Sequence, residues 1–427
     1  MLLLVSLKSK LLCCKSKEFL KKYNLVELYL LKYIRFFMST EKFFNNTEIA
    51  FALKSKKELQ KAHFLFKTMA SPTLVSVGSK IALTSLNIGL PVKGLIKKTI
   101  FSQFCGGETE KECLPVIYKL NEKGVSSIMD FSVEGKESEA DFDAAAKKKV
   151  ELVQFASEHD EIHIVAMKPT ALGRFGLFQK VSEKAELTTN EQEEWNRIVA
   201  RFDAICKATY KAKLRVLIDA EESWMQDAAD DLVELMMERY NTERLTVYNT
   251  LQCYRWDRID YMKQLHERAK GKGYLIGLKI VRGAYMEKER ERAEEKGYPS
   301  PICATKEDTD TTFNTALSYI LDHSKDFSVF VGTHNEASSY LAMELMAQKK
   351  MERNNNTVWF GQLYGMSDHI SFNLAEQGYN TAKLIPFGPI KEVIPYLIRR
   401  AEENTSVAGQ TGRELSLLNK EMKRRKA

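Results

Sequence analysis

With 427 residues and 44% hydrophobic content, the chain can build one large domain plus an appendage, with a core typical of a soluble protein. A net charge of +7 is too modest to point to nucleic acid, and there is no zinc-finger, cold-shock or arginine-rich pattern; it suits an anionic cofactor or an acidic membrane surface. Seven cysteines without a CxxC pair argue for a reducing compartment and against a disulfide framework, and no apolar run approaches the roughly 18 residues of a membrane helix.

Residues 1–37 open on an apolar stretch, Met1 to Leu7, before any charge, the reverse of a secretory signal. A single arginine, Arg35, is poor in a mitochondrial presequence. Met38-Ser39-Thr40-Glu41 reads as a natural start, so 1–37 is expected to be an extension that does not pack. Residues 38–123 read as a helical arm. Ser55 and Glu58 form a capping box, and Leu59, Ala62, His63, Phe66 and Met69 follow at helical spacing until Pro72. Two further short helices are expected at Ile81–Leu90 and Leu95–Phe104.

From Gly124 onward, short β-rich runs alternate with long helical ones. Expected strands are Ser127–Phe131, His163–Lys168, Arg215–Asp219, Thr246–Leu251, Ile276–Val281, Ser328–Thr333, Thr357–Leu363 and Thr381–Ile385. The helices between them include Glu139–Ser157, Glu191–Lys211, Ser223–Tyr240, Asp257–Lys270, Thr309–Asp322 and Glu336–Lys350. Eight such units over 124–405 predict an α/β fold of the (βα)8 TIM-barrel type. A doubly wound sheet is disfavoured because no glycine-rich phosphate turn follows the first strand. Residues 406–427 read as a basic tail, its run Lys420–Lys426 a solvated charge cluster.

Polar residues collect at the C-terminal strand ends, the face on which barrels build their sites. They are Asp130, Lys168, Asp219, Gln252, Lys279, Arg282, Thr333-His334-Asn335 and Gln362-Leu363-Tyr364. Cations exceed anions there, which implies bound anions such as a substrate carboxylate and a cofactor pyrophosphate. Metal binding is not expected, because His159 and His163 do not share a helical face, and Ser/His/Asp hydrolysis is disfavoured because no nucleophile elbow is present. Arg399 and Arg400 stand side by side in a helical run, with Glu403 in reach of either. Neighbours on a helix point about 100° apart. Both can therefore serve one ligand only if the helix crosses the mouth of a pocket. Paired guanidinium forks suit carboxylate capture, although taken alone the stretch reads more often as a solvated face.

Together Ile218-Asp219-Ala220-Glu221-Glu222-Ser223, Lys279 through Tyr285, Gly332-Thr333-His334-Asn335, Gln362 through Met366 and Tyr396 through Asn404 resemble the proline dehydrogenase family, in particular its monofunctional bacterial members. The resemblance implies a distorted barrel holding FAD non-covalently, with the last helix over the mouth. It implies that Arg399 and Arg400 hold the proline carboxylate, that Glu403 positions them, and that Lys168 and Asp219 face the reacting ring. Leu363 and Tyr285 would close the pocket. Ala220, Gln252, Lys279, Val281, Arg282, Gly283, Ala284, Lys306, Thr333, His334 and Asn335 would contact FAD, with Lys279 near flavin N5.

The family often has tyrosine where Leu384 stands, so substrate selectivity is open to change. The implied reaction is oxidation of L-proline to Δ1-pyrroline-5-carboxylate, with electrons passed to a membrane quinone and the product to a separate pyrroline-5-carboxylate dehydrogenase. The expected location is cytoplasmic, with peripheral contact to the inner membrane. Two rival readings are a folate-reductase type of flavin barrel and a non-catalytic binding barrel.

Overall fold

Eight parallel strands close into a barrel in the computed structural model, which describes residues 43–88, 91–132, 137–406 and 410–426. The strands are β1 (Val125–Phe131), β2 (Ile162–Met167), β3 (Arg215–Ile218), β4 (Val247–Gln252), β5 (Ile276–Val281), β6 (Phe327–Gly332), β7 (Val358–Leu363) and β8 (Thr381–Phe387). Each pairs with the next, and β8 returns to β1 in register from Val125 opposite Thr381 to Phe131 opposite Phe387. The chain divides into Met1–Asn46 and Thr47–Ala427, and the barrel lies wholly in the second unit. The expected extension, 1–37, lies outside the described residues.

The interior is filled by Ile128, Ile164, Ala166, Leu217, Tyr248, Phe330, Trp359 and Ala382, alternate residues of the strands turned to one face. The packing requires glycine at position 361, because a Cβ there would come within 2.0 Å of the Phe330 ring. Leu384 packs partly buried against this cluster.

The arm contributes α1 (Lys56–Met69), α2 (Pro72–Asn87) and α3 (Glu110–Asn121). Ser55 caps α1 as expected: Glu58 N donates to Ser55 Oγ at 3.2 Å, and Ser55 N donates to Glu58 Oε2 at 2.7 Å. Helix α2 starts earlier than expected, since Pro72 ends one helix and serves as the first residue of the next.

Around the barrel run α4 (Glu139–Ser157), α5 (Phe175–Ser182), α6 (Thr189–Lys211), α7 (Ser223–Tyr240), α8 (Arg258–Lys272), α9 (Met286–Lys296), α10 (Lys306–Asp322), α11 (Glu336–Gln348) and α12 (Asp368–Glu376). Thr188 with Glu191 and Thr305 with Asp308 form further capping boxes at α6 and α10.

Two helices follow the barrel, α13 (Ile390–Ser406) and α14 (Gln410–Arg424). Helix α13 packs against α1, α2 and α14. Its Val393, Ile394 and Leu397 join an apolar cluster with Leu59, Phe66, Val75 and Phe104 of the arm. The C-terminal segment differs from the solvated tail expected. Leu417 and Leu418 are buried, Glu421 is buried beneath Arg424 and Arg425, and Arg425 donates to the carbonyls of Lys54 (2.6 Å) and Phe51 (2.8 Å). The basic residues thus end a packed helix, because the side chains beneath them anchor it to the arm.

Candidate active site

Several expected site residues lie at the tips of the strands or one step past them. Lys168 follows β2 and Asp219 follows β3, each one residue beyond the strand where the sequence pattern ended it. Asp219 N still donates to Met167 O at 2.9 Å, so the ends of β2 and β3 stay locked while both side chains leave the ladder. Lys279 reaches from β5 and donates to Asp219 Oδ1 at 2.5 Å, an ion pair spanning the tip of β4. Both partners are largely sheltered, so the pair is less screened by solvent than a surface one and holds the Asp219 side chain in place at the end of β3.

Gln252, the last residue of β4, joins its neighbours through the backbone. Its Nε2 donates to Glu221 O at 2.7 Å and its Oε1 accepts from Ala284 N at 3.3 Å. Gly283 has φ +136°, and a Cβ there would enter the Tyr254 ring. The Val281-Arg282-Gly283-Ala284 turn therefore follows a path open to glycine. Arg282 donates to Asp310 Oδ1 (2.7 Å), Thr333 Oγ1 (2.8 Å) and Ser338 Oγ (3.1 Å) and lies over the Phe313 ring. Lys306 is exposed and joins Asp310 at 3.1 Å. Thr333 Oγ1 also accepts from Asn335 N, and Asn335 caps α11 by accepting from Ser338 N. Thr333, Asn335 and Arg282 thus form one hydrogen-bonded unit at the end of β6.

His334 joins Ser367 Oγ through Nδ1 at 2.9 Å. Burial, with the nearby charges of Lys383 and Arg400, pulls its imidazole down to about 3, so the ring is neutral at physiological pH.

Arg399 shares a cleft of about 610 Å³ with Lys168 and Tyr285. These residues come from α13, from just past β2 and from the turn after β5, so α13 lies across the strand ends. Arg400 takes a different direction: its guanidinium sits 5.2 Å from the Tyr396 ring centroid and its charge is felt at His334. The adjacent pair therefore straddles the mouth, Arg399 toward β2 and β5, Arg400 toward β6. Leu363 ends β7 and packs against the apolar cluster that contains α13. Tyr285 precedes α9, and burial raises its phenol. The side chain of Glu403 lies outside the described residues. Ala220 is buried beside Asp219.

Two features escaped sequence reasoning. Asp130, counted among the mouth residues, is committed elsewhere: its carboxylate accepts from Lys149 Nζ at 3.3 Å and from Ser132 Oγ at 2.7 Å. Glu221, quoted only as part of a motif, lines the cleft and accepts from Thr170 N (3.0 Å) and Thr170 Oγ1 (2.8 Å). Burial pushes its carboxyl up to about 7 against the opposing charge of Lys168. Asp310 was detectable from its place four residues after Lys306, whereas nothing local marks Lys149 as the partner of Asp130.

A family model described as "Proline dehydrogenase" matches residues 113–413. The chain is 33% identical over 364 residues to the carbapenem antibiotics biosynthesis protein CarD of Pectobacterium carotovorum subsp. carotovorum, covering 84% of this chain and 94% of that protein. It is 31% identical over 409 residues to mitochondrial proline dehydrogenase 1 of Dictyostelium discoideum (85% and 72% covered) and 30% identical over 413 residues to hydroxyproline dehydrogenase of Xenopus laevis (88% of each). Among solved structures it resembles proline utilization A from Bdellovibrio bacteriovorus inactivated by N-propargylglycine, with TM-score 0.68 and 21% identity, over 87% of this chain and 40% of that longer one. That likeness concerns the fold. The family match runs from the last arm helix past the arginine helix and takes in every strand whose tip contributes to the cleft, so the chain belongs to the proline dehydrogenase family and is an oxidoreductase.

Proposed function

We propose that the protein oxidises L-proline to Δ1-pyrroline-5-carboxylate, with FAD as cofactor and a membrane quinone as electron acceptor. The observation that carries this reading is the arginine helix laid over the strand ends, with Arg399 in one cleft with Lys168 and Tyr285. Arg399 and Arg400 supply the cationic site for a carboxylate, and the walls at Leu363 and Leu384 suit an apolar ring. Asp219, oriented by its ion pair with Lys279, offers a carboxylate to the substrate nitrogen and a place for its proton. Tyr285 and α13 would flank the bound substrate and limit its contact with water.

The residues present fit FAD. Arg282 and Lys306 are two cations sharing one acid, Asp310, which favours a pyrophosphate. Gly332 lets β6 lie close against β5, since a Cβ there would meet Val281 Cγ1 at 2.9 Å. Ala220, Gln252, Val281, Gly283, Ala284, Thr333, His334 and Asn335 would complete its contacts. When bound, the flavin supplies the two-electron oxidation.

A separate dehydrogenase would take the product onward, and a cytoplasmic protein with peripheral membrane contact suits a quinone acceptor. Family membership sets the non-catalytic barrel aside, and the paired arginines disfavour a folate-reductase type of substrate.

Steady-state kinetics of Arg399→Met and Arg400→Met test the carboxylate assignment. Each loses a charge-assisted hydrogen bond, so KM for proline should rise about 10–100-fold while the flavin spectrum stays intact. Unchanged KM in both variants would remove the arginines from the substrate site.

A further inference from the structure

From Leu59 to Gly107 the chain has no aspartate or glutamate but six lysines, Lys61, Lys67, Lys80, Lys93, Lys97 and Lys98. The described part of this stretch also turns large apolar side chains outward. In α2, Leu74, Val77 and Ile81 are 56%, 50% and 60% exposed, and farther along the chain Ile88 and Leu95 are each 67% exposed. At 100° per residue the three α2 side chains fall within about 60° of one another, one stripe along the helix. Val75 and Ala82 turn instead into the apolar cluster shared with α13. Lys80 of the same helix and Lys67, Lys93 and Lys98 of the neighbouring segments are exposed, while Lys97 is taken up by Glu108 and Glu112. Scattered exposed apolar residues need no explanation, but a stripe along one helix in a stretch of chain with six lysines and no acid does.

We propose that this face of the arm is a docking surface for an anionic phospholipid bilayer, α2 lying in the headgroup region with Leu74, Val77 and Ile81 toward the acyl chains. The choice of occupant follows from charge: lysines flanking an apolar stripe complement a negative lipid surface, and such a helix binds in the plane of the interface. Among the described residues no helix is long and apolar enough to cross a membrane, so the attachment is peripheral. Because α2 packs against α13, docking would bring the helix bearing Arg399 and Arg400 next to the bilayer. A lipid-soluble acceptor could then reach the site mouth without crossing bulk water.

The test is co-sedimentation of the full chain with vesicles of phosphatidylcholine mixed with phosphatidylglycerol, and with vesicles of phosphatidylcholine alone. No proline or acceptor is present, so the result is separable from the identity of the reaction. The wild-type protein should bind the anionic vesicles preferentially. Val77→Asp/Ile81→Asp and Lys93→Glu/Lys98→Glu should each lower partitioning about tenfold or more. Both pairs are exposed, so thermal unfolding and dye-linked turnover should match wild type, and the lysine pair decides should the apolar pair misfold. Equal binding to neutral vesicles, or binding unchanged in the lysine pair, would overturn the proposal. So would a wild-type dimer that Val77→Asp/Ile81→Asp dissociates without any vesicle binding, since a second copy would then cover the stripe.

Discussion

Asp219 and Lys279 show how a residue's neighbours decide its chemistry. An aspartate alone at a strand tip would be solvated and mobile; the Lys279 ammonium at 2.5 Å holds its side chain in one orientation. Glu221, only two residues on, has the opposite environment. Burial outweighs the attraction of Lys168, and its carboxyl rises from the ordinary 4.5 to about 7. A folded carboxyl raised in this way binds its proton more tightly than the unfolded one, so its contribution to stability is greatest below pH 4.5 and is lost as pH climbs toward 7. Glu221→Gln removes that loss. The difference in melting temperature between variant and wild type should shift in the variant's favour across that window and level off above it; a difference independent of pH would show that Glu221 titrates normally. The identity of such residues is legible in sequence, but their ionisation is not. It depends on burial and on partners such as Lys168, which lies 53 positions before Glu221.

Among the elements, the strands and most helices were readable because each obeys a local rule. Interior strands are short apolar runs, and α1 announces itself through Ser55 and Glu58. The ends of β2 and β3 were placed one residue too far, because a ladder stops where the neighbour's pairing stops and the sequence of one strand does not contain that information. The C-terminal helix was misread for a related reason. Its many charges hid Leu417, Leu418 and Glu421, whose burial depends on arm residues more than 350 positions away.

A buried ionic network between elements is similarly silent in sequence. Lys383 of β8, with no exposed surface, pairs with Asp368 of α12 at 2.9 Å, and Lys54 of the arm reaches the same carboxylate at 3.3 Å. These two lysines hold the Asp368 carboxyl down to about 2 against the opposing effect of burial. Asp368→Ala strands Lys383 as a buried charge and should cost ~3–5 kcal/mol in denaturant unfolding. Adding Lys383→Met should recover much of that loss. A single variant within about 1 kcal/mol of wild type would mean that water or another group compensates the lysine.

At the scale of the molecule, the barrel and the arm divide the work. The barrel brings Lys168, Asp219 and Lys279 to one face, and the arm supports α13 so that Arg399 and Arg400 overhang it. The convergence of strand ends was legible because barrel topology forces it. The divergence of the arginines, one toward Tyr285 and the other toward His334, was not, since it depends on where α13 rests on the arm. The most direct test of the whole account is anaerobic titration of the purified protein with L-proline, followed by visible absorbance. The account predicts a flavin spectrum that proline bleaches, with Δ1-pyrroline-5-carboxylate appearing in step. A protein that purifies without flavin and takes up none, or a flavin bleached by NADH and not by proline, would contradict it.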